Sequence, residues 1–363
     1  MRKIIHFHPN GNYSKKFIDP LQKFEKRLGF NSIIVNDTMA SDKNLQVDYI
    51  LKINNFFKFP LNFILLILHI YRLKPDIIFC HNSTAAWVPM LVARFLFIKN
   101  IIYFNHGLPF VGHKGLARFI LYLIEKINCL LSKKIITVSN AMKTELQRIT
   151  KKNVYLIHNG SASGVDLTKF QKFVKSKKYI SILKNKYNID QNNKIILFVG
   201  RANRRKGFYD VVEIWKKYFE FKSDYTLLLL GVDKKDVLKL YKKIPYNIKA
   251  MSFIDNPTNL FIMADYLFMT SYHEGLNYSI LESMVLDTII ISNNIFGVSE
   301  IITNNVNGFL VDNNDHQLFA NIVKSCEEST SLKTSIIAGS IANIKKYDRK
   351  DFLKCYQCFL KKL

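Results

Sequence analysis

Cysteine is scarce in this chain. Its 363 residues hold five, Cys80, Cys129, Cys326, Cys355 and Cys358, odd in number and scattered, which excludes a disulfide framework and points to a reducing compartment. Cys355 and Cys358 have C-x-x-C spacing, but no second pair accompanies them and they fall in a late helical pattern, so helix packing is expected rather than redox or zinc chemistry. Long apolar runs are missing too. The most hydrophobic segment, Phe56 to Leu73, is uninterrupted only from Phe63 to Leu68, far short of the ~20 residues that span a bilayer. No small-residue cleavage site follows Met1-Arg2-Lys3, so no secretory signal is expected. The first strand–loop–helix lacks G-x-G-x-x-G, which argues against a dinucleotide at that loop. Acidic residues are few: 28 Asp and Glu stand against 53 Lys and Arg, a formal net charge of +25. Charge of that sign favours anionic partners, whether nucleic acid, a membrane surface or a phosphorylated substrate.

What is present is a dense apolar content, 48% of residues, enough for large cores, in a chain long enough for two domains. The order is α/β. Lys3 to His8, Ser32 to Val35, Asp76 to Cys80, Ile101 to Phe104, Ile135 to Val138 and Val154 to His158 read as strands. Helical patterns run through Phe17 to Leu28, Ala85 to Phe97, Ala117 to Leu131 and Ala141 to Ile149. Lys169 to Lys186, lysine-rich and weakly periodic, reads as the interdomain linker. A second α/β unit opens with the strand Ile195 to Val199 and a helix from Tyr209. It continues through strands at Leu227 to Leu230, Ala250 to Phe253, Tyr266 to Met269 and Thr288 to Ile291, with a helix start at Val298-Ser299-Glu300. Two helices of the first half, Phe56 to Leu73 and Ala117 to Leu131, carry surplus apolar and basic residues. They are expected as buried crossover helices whose outer faces can rest on a membrane surface.

Four places carry chemistry. After the strand Tyr266 to Met269, Gly275 permits a tight turn and a helical stripe begins at Leu276 with Ile280, Leu281, Met284 and Val285. Glu274 then lies in the turn and Glu282 in the helix, on either side of a helix N-terminus whose free N–H groups suit phosphate oxygens. Taken alone, the same segment is equally a helix with an acidic first turn. Gly200-Arg201-Ala202-Asn203-Arg204-Arg205-Lys206-Gly207 sets a glycine and a cation cluster between strand and helix, an anion-binding turn or a solvated basic loop. Asn105-His106-Gly107 leaves the carboxyl end of a strand, where ligands bind in parallel sheets, so His106 can face a crevice. Gly11, in the first loop, could let a substrate approach the backbone.

In this order the motifs resemble the GT-B glycosyltransferases, and within them the retaining family called glycosyltransferase family 4 or group 1. The resemblance rests on Val138-Ser139-Asn140, Ile157-His158-Asn159-Gly160 with Gly164-Val165-Asp166, Val199-Gly200-Arg201 with Lys206-Gly207, Ala264-Asp265, Glu274-Gly275 seven residues before Glu282, and Asn307-Gly308-Phe309-Leu310-Val311. The Ser161-Ala162-Ser163 insertion and the His-Gly-Leu-Pro-Phe and Lys-Gly pieces at 106–115 look like the subset that builds lipid-linked O-antigen, capsule or N-glycan precursors. His158 replaces the usual Pro, and Gly297-Val298-Ser299-Glu300 the more frequent Gly-x-Pro-Glu.

The resemblance implies two Rossmann-like doubly wound domains facing a central cleft. The expected divisions are an acceptor-binding, membrane-facing domain over 1–180, a nucleotide-sugar domain over 190–345 and a terminal helix over 346–363 packing back on the first. It implies Glu274 facing the transferred sugar and His106 reaching toward it. Arg201, Lys206, Gly200 and the turn Gly275, Leu276, Asn277 would hold the diphosphate, and Glu282 the ribose. Gly11, Asn105 and Gly107 would lie on the acceptor side. It implies retention of anomeric configuration with the leaving phosphate as base, since no second carboxylate faces Glu274. No metal is expected, because Arg and Lys supply the positive charge and no Asp-x-Asp stands in a donor loop. The donor is expected to be a UDP-sugar, UDP-hexose or UDP-HexNAc, and the acceptor lipid-linked or a saccharide of bacterial surface polysaccharide. The expected setting is the cytoplasmic face of an anionic membrane. Two rivals stand beside this reading: a basic nucleic-acid-binding protein, which the absence of RRM, KH, zinc-finger and helix-turn-helix patterns opposes, and an epimerase or hydrolase on the same fold.

Overall fold

Continuous runs of β-branched and large apolar residues make strands that bury both faces, the mark of parallel sheets covered by helices. The computed structural model describes residues 1–36, 49–50, 59–171, 176–312 and 315–363. It divides into two compact units, residues 1–164 with 349–363, and residues 165–348.

Among the described residues the first unit holds seven strands: β1 (Lys3–His8), β2 (Asn31–Asn36), β3 (Tyr49–Ile50), β4 (Ile77–His81), β5 (Asn100–Asn105), β6 (Lys134–Thr137) and β7 (Val154–Leu156). Their order is β3-β2-β1-β4-β5-β6-β7, every pairing parallel. The order reverses between β1 and β4, the switch point outside which such sheets bind ligands. The second unit repeats the plan with β8 (Lys194–Val199), β9 (Tyr225–Leu230), β10 (Ile248–Met251), β11 (Tyr266–Met269), β12 (Ile289–Asn293) and β13 (Phe309–Val311), in the order β10-β9-β8-β11-β12-β13. Its switch point lies between β8 and β11, which pair through Tyr266 and Ile196, Leu267 and Leu197, Phe268 and Phe198.

Three expectations need correction. The first unit closes at Gly164, not at 180, because Val165, Leu167, Phe170 and Leu183 are buried in the core of the second unit. Of the expected linker, Leu167–Gln171 and Lys177–Lys186 are helices, the latter burying Leu183 and capped by Ser176; residues 172–175 lie outside the described residues. No helix starts at Val298. The amides of Ile301 and Ile302 both turn back onto the Val298 carbonyl, at 2.8 and 2.9 Å, and the segment stays a series of turns.

The helix Arg349–Lys361 belongs to the first unit: Gly164 sits against it so closely that an added Cβ would lie 2.4 Å from the Arg349 Cα. Of the Phe56 to Leu73 segment, the structure describes the helix Phe59–Leu73; residues 56–58 lie outside the described residues. Among the described residues no helix is long and apolar enough to cross a membrane.

Candidate active site

In the second unit, two loops leave the strands that flank the switch point. After β8, Asn203 caps a short turn by accepting from the Lys206 amide at 3.0 Å, and Gly207 takes a left-handed conformation at φ +69°. Only glycine fits there, since a Cβ would stand 1.9 Å from the Thr270 carbonyl oxygen. The contact is reciprocal: Thr270 Oγ1 donates to the Gly207 carbonyl at 2.8 Å, and the Tyr272 amide to the Arg205 carbonyl at 2.9 Å. The loop after β8 is thereby fastened to the loop after β11.

That fastening brings Lys206 and Glu274 together. Nζ and Oε1 are 2.5 Å apart, with side chains only 18% and 9% exposed. Gly200 lies beneath the lysine, its missing Cβ 3.1 Å from the Lys206 Cβ. Behind Glu274 stands Gly297 at φ +83°, where a Cβ would be 2.4 Å from the Glu274 carbonyl oxygen and 2.6 Å from that of Gly275. Asn277 caps the helix Tyr278–Val285, its Oδ1 accepting from the amides of Ser279 and Ile280 at 2.9 and 3.2 Å. The helix therefore starts two residues later than the stripe from Leu276 implied, because Asn277 takes up the first free amides. Leu276 is half-buried against the core, Glu282 half-buried on the helix, and Arg201 exposed just beyond β8. A buried ion pair beside a glycine turn and an exposed guanidinium can exchange its internal partner for an incoming anion while keeping a carboxylate next to it.

In the first unit, His106 follows directly on β5. Its Nε2 lies 2.8 Å from His81 Nδ1, and its own Nδ1 is buried without a partner among the described residues. Burial holds the His106 ring well below the usual imidazole pKa, with His8 adding to the effect. Gly11 opens a short helical turn, Gly11–Tyr13, and Tyr13 stacks on His8 and meets the His106 ring edge-on at 5.2 Å.

Asn105, expected to face an acceptor, is fully buried instead. Its Nδ2 donates to Glu125 Oε1 at 2.9 Å and its Oδ1 accepts from the Gly107 amide at 3.1 Å, so it holds the loop that carries His106. Sequence reasoning missed His6, His81 and Glu25, which line up behind His106. No signal in the sequence joined them: the strand order β1-β4-β5 alone brings His6 and His81 beside His106.

The two sheets, each of Rossmann order, are those of a GT-B architecture, and two family-model matches make the chain a glycosyltransferase. Residues 26–162 match the family model described as Glycosyltransferase Family 4, and residues 180–342 that of Glycosyl transferases group 1. The chain is 25% identical over 283 residues to the capsular polysaccharide biosynthesis glycosyltransferase CapM of Staphylococcus aureus, covering 75% of this chain and 72% of CapM. In fold it is similar to Anabaena Alr3699/HepE, solved with UDP and glucose, at a TM-score of 0.82 and 18% identity over 100% of both chains. It is likewise similar to WaaG, a glycosyltransferase involved in lipopolysaccharide biosynthesis, at a TM-score of 0.75 and 12% identity over 98% of both chains.

Proposed function

We propose that the protein transfers a hexosyl or N-acetylhexosaminyl group from a UDP-sugar, with retention, to a lipid-linked or saccharide acceptor of a surface polysaccharide. The observation that carries this reading is the Lys206–Glu274 pair, a cation and a carboxylate held side by side at the switch point of the second unit. In the reading, Lys206 and Arg201 neutralise the diphosphate as it leaves, the main electrostatic demand of the reaction. Glu274 accepts from hydroxyls of the transferred sugar, and Glu282 from those of the ribose. Gly200, Gly275, Leu276 and Asn277 shape the backbone around the phosphates. His106 serves the transfer as a group that hydrogen-bonds a sugar hydroxyl, and Gly11 and Gly107 serve the acceptor. The acceptor hydroxyl attacks the face the diphosphate leaves and gives its proton to a departing phosphate oxygen. Arg201 and Lys206 take the place of a metal ion, so chelation leaves turnover unchanged.

Solved HepE complexes with UDP-glucose and with UDP and glucose support the choice of donor class, and the name of CapM supports the surface-polysaccharide setting. Contact with a membrane is supported by the helix Gly115–Leu131, where Leu116 is 73%, Phe119 57% and Leu130 71% exposed.

The test is a panel of nucleotide sugars with a lipid-diphosphate acceptor, followed by anomeric analysis of the product. Turnover of one UDP-sugar with retention is the expected result. An inverted product, or no UDP-dependent rise in melting temperature together with tight nucleic-acid binding, overturns the reading.

A further inference from the structure

His106 is the outer end of a buried line of rings. β1 pairs with β4 so that His6 lies opposite Phe79, and β4 pairs with β5 so that His81 lies opposite Phe104. With side chains alternating along each strand, His6, His81 and His106 fall on one face of the sheet. His106 Nε2 is 2.8 Å from His81 Nδ1, His81 Nε2 is 2.9 Å from His6 Nδ1, and His6 Nε2 is 3.0 and 3.1 Å from the two carboxylate oxygens of Glu25. Glu25 is fully buried on the helix Asp19–Arg27 and also accepts from Ser32 Oγ at 2.6 Å and from the Tyr356 hydroxyl at 2.5 Å. The facing nitrogens are too close for an ion between them, since two metal–nitrogen bonds of about 2.0 Å would force them further apart unless sharply bent.

This line has a direction. A carboxylate that collects donors assigns the proton of His6 to Nε2, which leaves His6 Nδ1 as an acceptor. His81 must then donate from Nε2 and accept at Nδ1, and His106 must donate from Nε2. The one lone pair left over is that of His106 Nδ1, the buried nitrogen with no partner among the described residues. Burial holds His81 and His106 well below the ordinary imidazole pKa, in keeping with neutral rings. Phenylalanine would fill such positions without a polar network to satisfy, so a line ending on an unanswered acceptor calls for a donor from outside.

We propose that Glu25, His6 and His81 are positioning residues that lock His106 as its Nε2–H tautomer, so that Nδ1 accepts a hydrogen bond from a hydroxyl of the sugar substrate. This rests on the reading above, in which His106 serves the transfer. The negative end at Glu25 polarises each ring in turn and strengthens the final acceptor.

The direct test is a two-bond proton–nitrogen correlation spectrum of the full-length enzyme labelled with ¹⁵N-histidine. His81 and His106 are each expected neutral, and all three rings protonated on Nε2. A His106 protonated on Nδ1, or a cationic His106 at neutral pH, overturns the proposal without any variant. Kinetics supply the second test. His81→Phe breaks the line and is expected to lower kcat about 10- to 100-fold, the usual effect of removing the partner that orients a functional histidine, with KM for the nucleotide sugar little changed. His81→Gln keeps one donor and one acceptor and is expected to recover much of kcat and the Nε2–H signal of His106. Equal kcat in the two variants, or unchanged kcat in His81→Phe, overturns the proposal. Circular dichroism melts of both variants identify a fold defect. His106→Ala separates the two levels: full activity there sinks the site reading itself, while inactivity there beside a fully active His81→Phe sinks only the relay.

Discussion

Lys206 and Glu274 stand 68 positions apart in the chain and 2.5 Å apart in space. Their separate tasks predict separate failures. Lys206→Ala removes the cation proposed to meet the diphosphate and takes away the partner of a buried carboxylate, so UDP should lose most of its stabilising effect on the melting temperature. Glu274→Gln keeps the cation, so the UDP-induced shift should persist while kcat falls roughly 10²-fold or more. If both variants lose UDP binding equally, the division of labour is wrong. This pair was readable in the sequence because glycines and charges mark both turns. The Glu25 line was not: each histidine alone looks like a satisfied core residue, and only the strand order β1-β4-β5 places them together. Glu125 was equally hidden, a fully buried acid that receives Ser83, Tyr103 and Asn105 and so underlies the His106 loop. Burial raises its pKa from 4.5 to about 7. An acid with a raised folded-state value binds its proton more tightly in the native state, so its contribution is fully present below pH 4.5 and is lost as pH climbs to about 7. Glu125→Gln cannot ionise. Its melting temperature should therefore gain on that of the wild type across this window, and parallel pH curves would refute the assignment.

Elements meet at glycines in the second unit. Gly207 and Gly297 lie at φ +69° and +83°, each where a Cβ would collide with the backbone of the β11 loop, at Thr270 and at Glu274 with Gly275. A substitution at either position must move main chain, and left-handed strain of about 1–3 kcal/mol adds to the collision. Gly297→Ala should displace Glu274 and lower kcat at a modest cost in stability. Gly207→Ala should both inactivate and lower the melting temperature by several degrees, a size expected for a loss of this order. A Gly297→Ala enzyme with native kcat would show that the glycine does not set the Glu274 turn. The alternation of strands and helices was legible because buried parallel strands read as unbroken apolar runs. Element ends were less so. Lys177–Lys186 looked like a linker because its lysines obscured Ile180 and Leu183, the residues that pack on the core. The helix start near Leu276 shifted because a cap depends on where the Asn277 side chain turns, which periodicity does not report.

On the scale of the whole molecule, excess positive charge and uncovered apolar surface coincide in the first unit. Along Gly115–Leu131 the exposed positions Leu116, Phe119, Ile120, Leu123, Ile127 and Leu130 recur at helical spacing, forming one stripe. The helix Phe59–Leu73 adds Ile64, Leu65, Leu68 and Tyr71, and Ser83–Phe95 adds Leu91 and Phe95. Basic residues accompany them, among them Arg72, Arg94, Arg118 and Lys126. A stripe of this kind would lie in a lipid interface with its apolar side chains below the headgroups and its cations among anionic phosphates. Charge and apolar contact then make distinguishable contributions. Binding to vesicles containing anionic lipid should be strong at about 50 mM salt and weaken at about 500 mM, where screening shortens to a few ångströms. Replacing both Leu116 and Phe119 by Ser removes apolar area worth about 1.5–3 kcal/mol for each fully buried side chain. Discounted for partial insertion, that is roughly a 10- to 100-fold loss of vesicle affinity, with turnover of a short water-soluble acceptor unaffected. Salt sensitivity should persist in the double variant, because its cations are untouched. Equal vesicle binding by variant and wild type would mean that this helix is not the face that meets lipid.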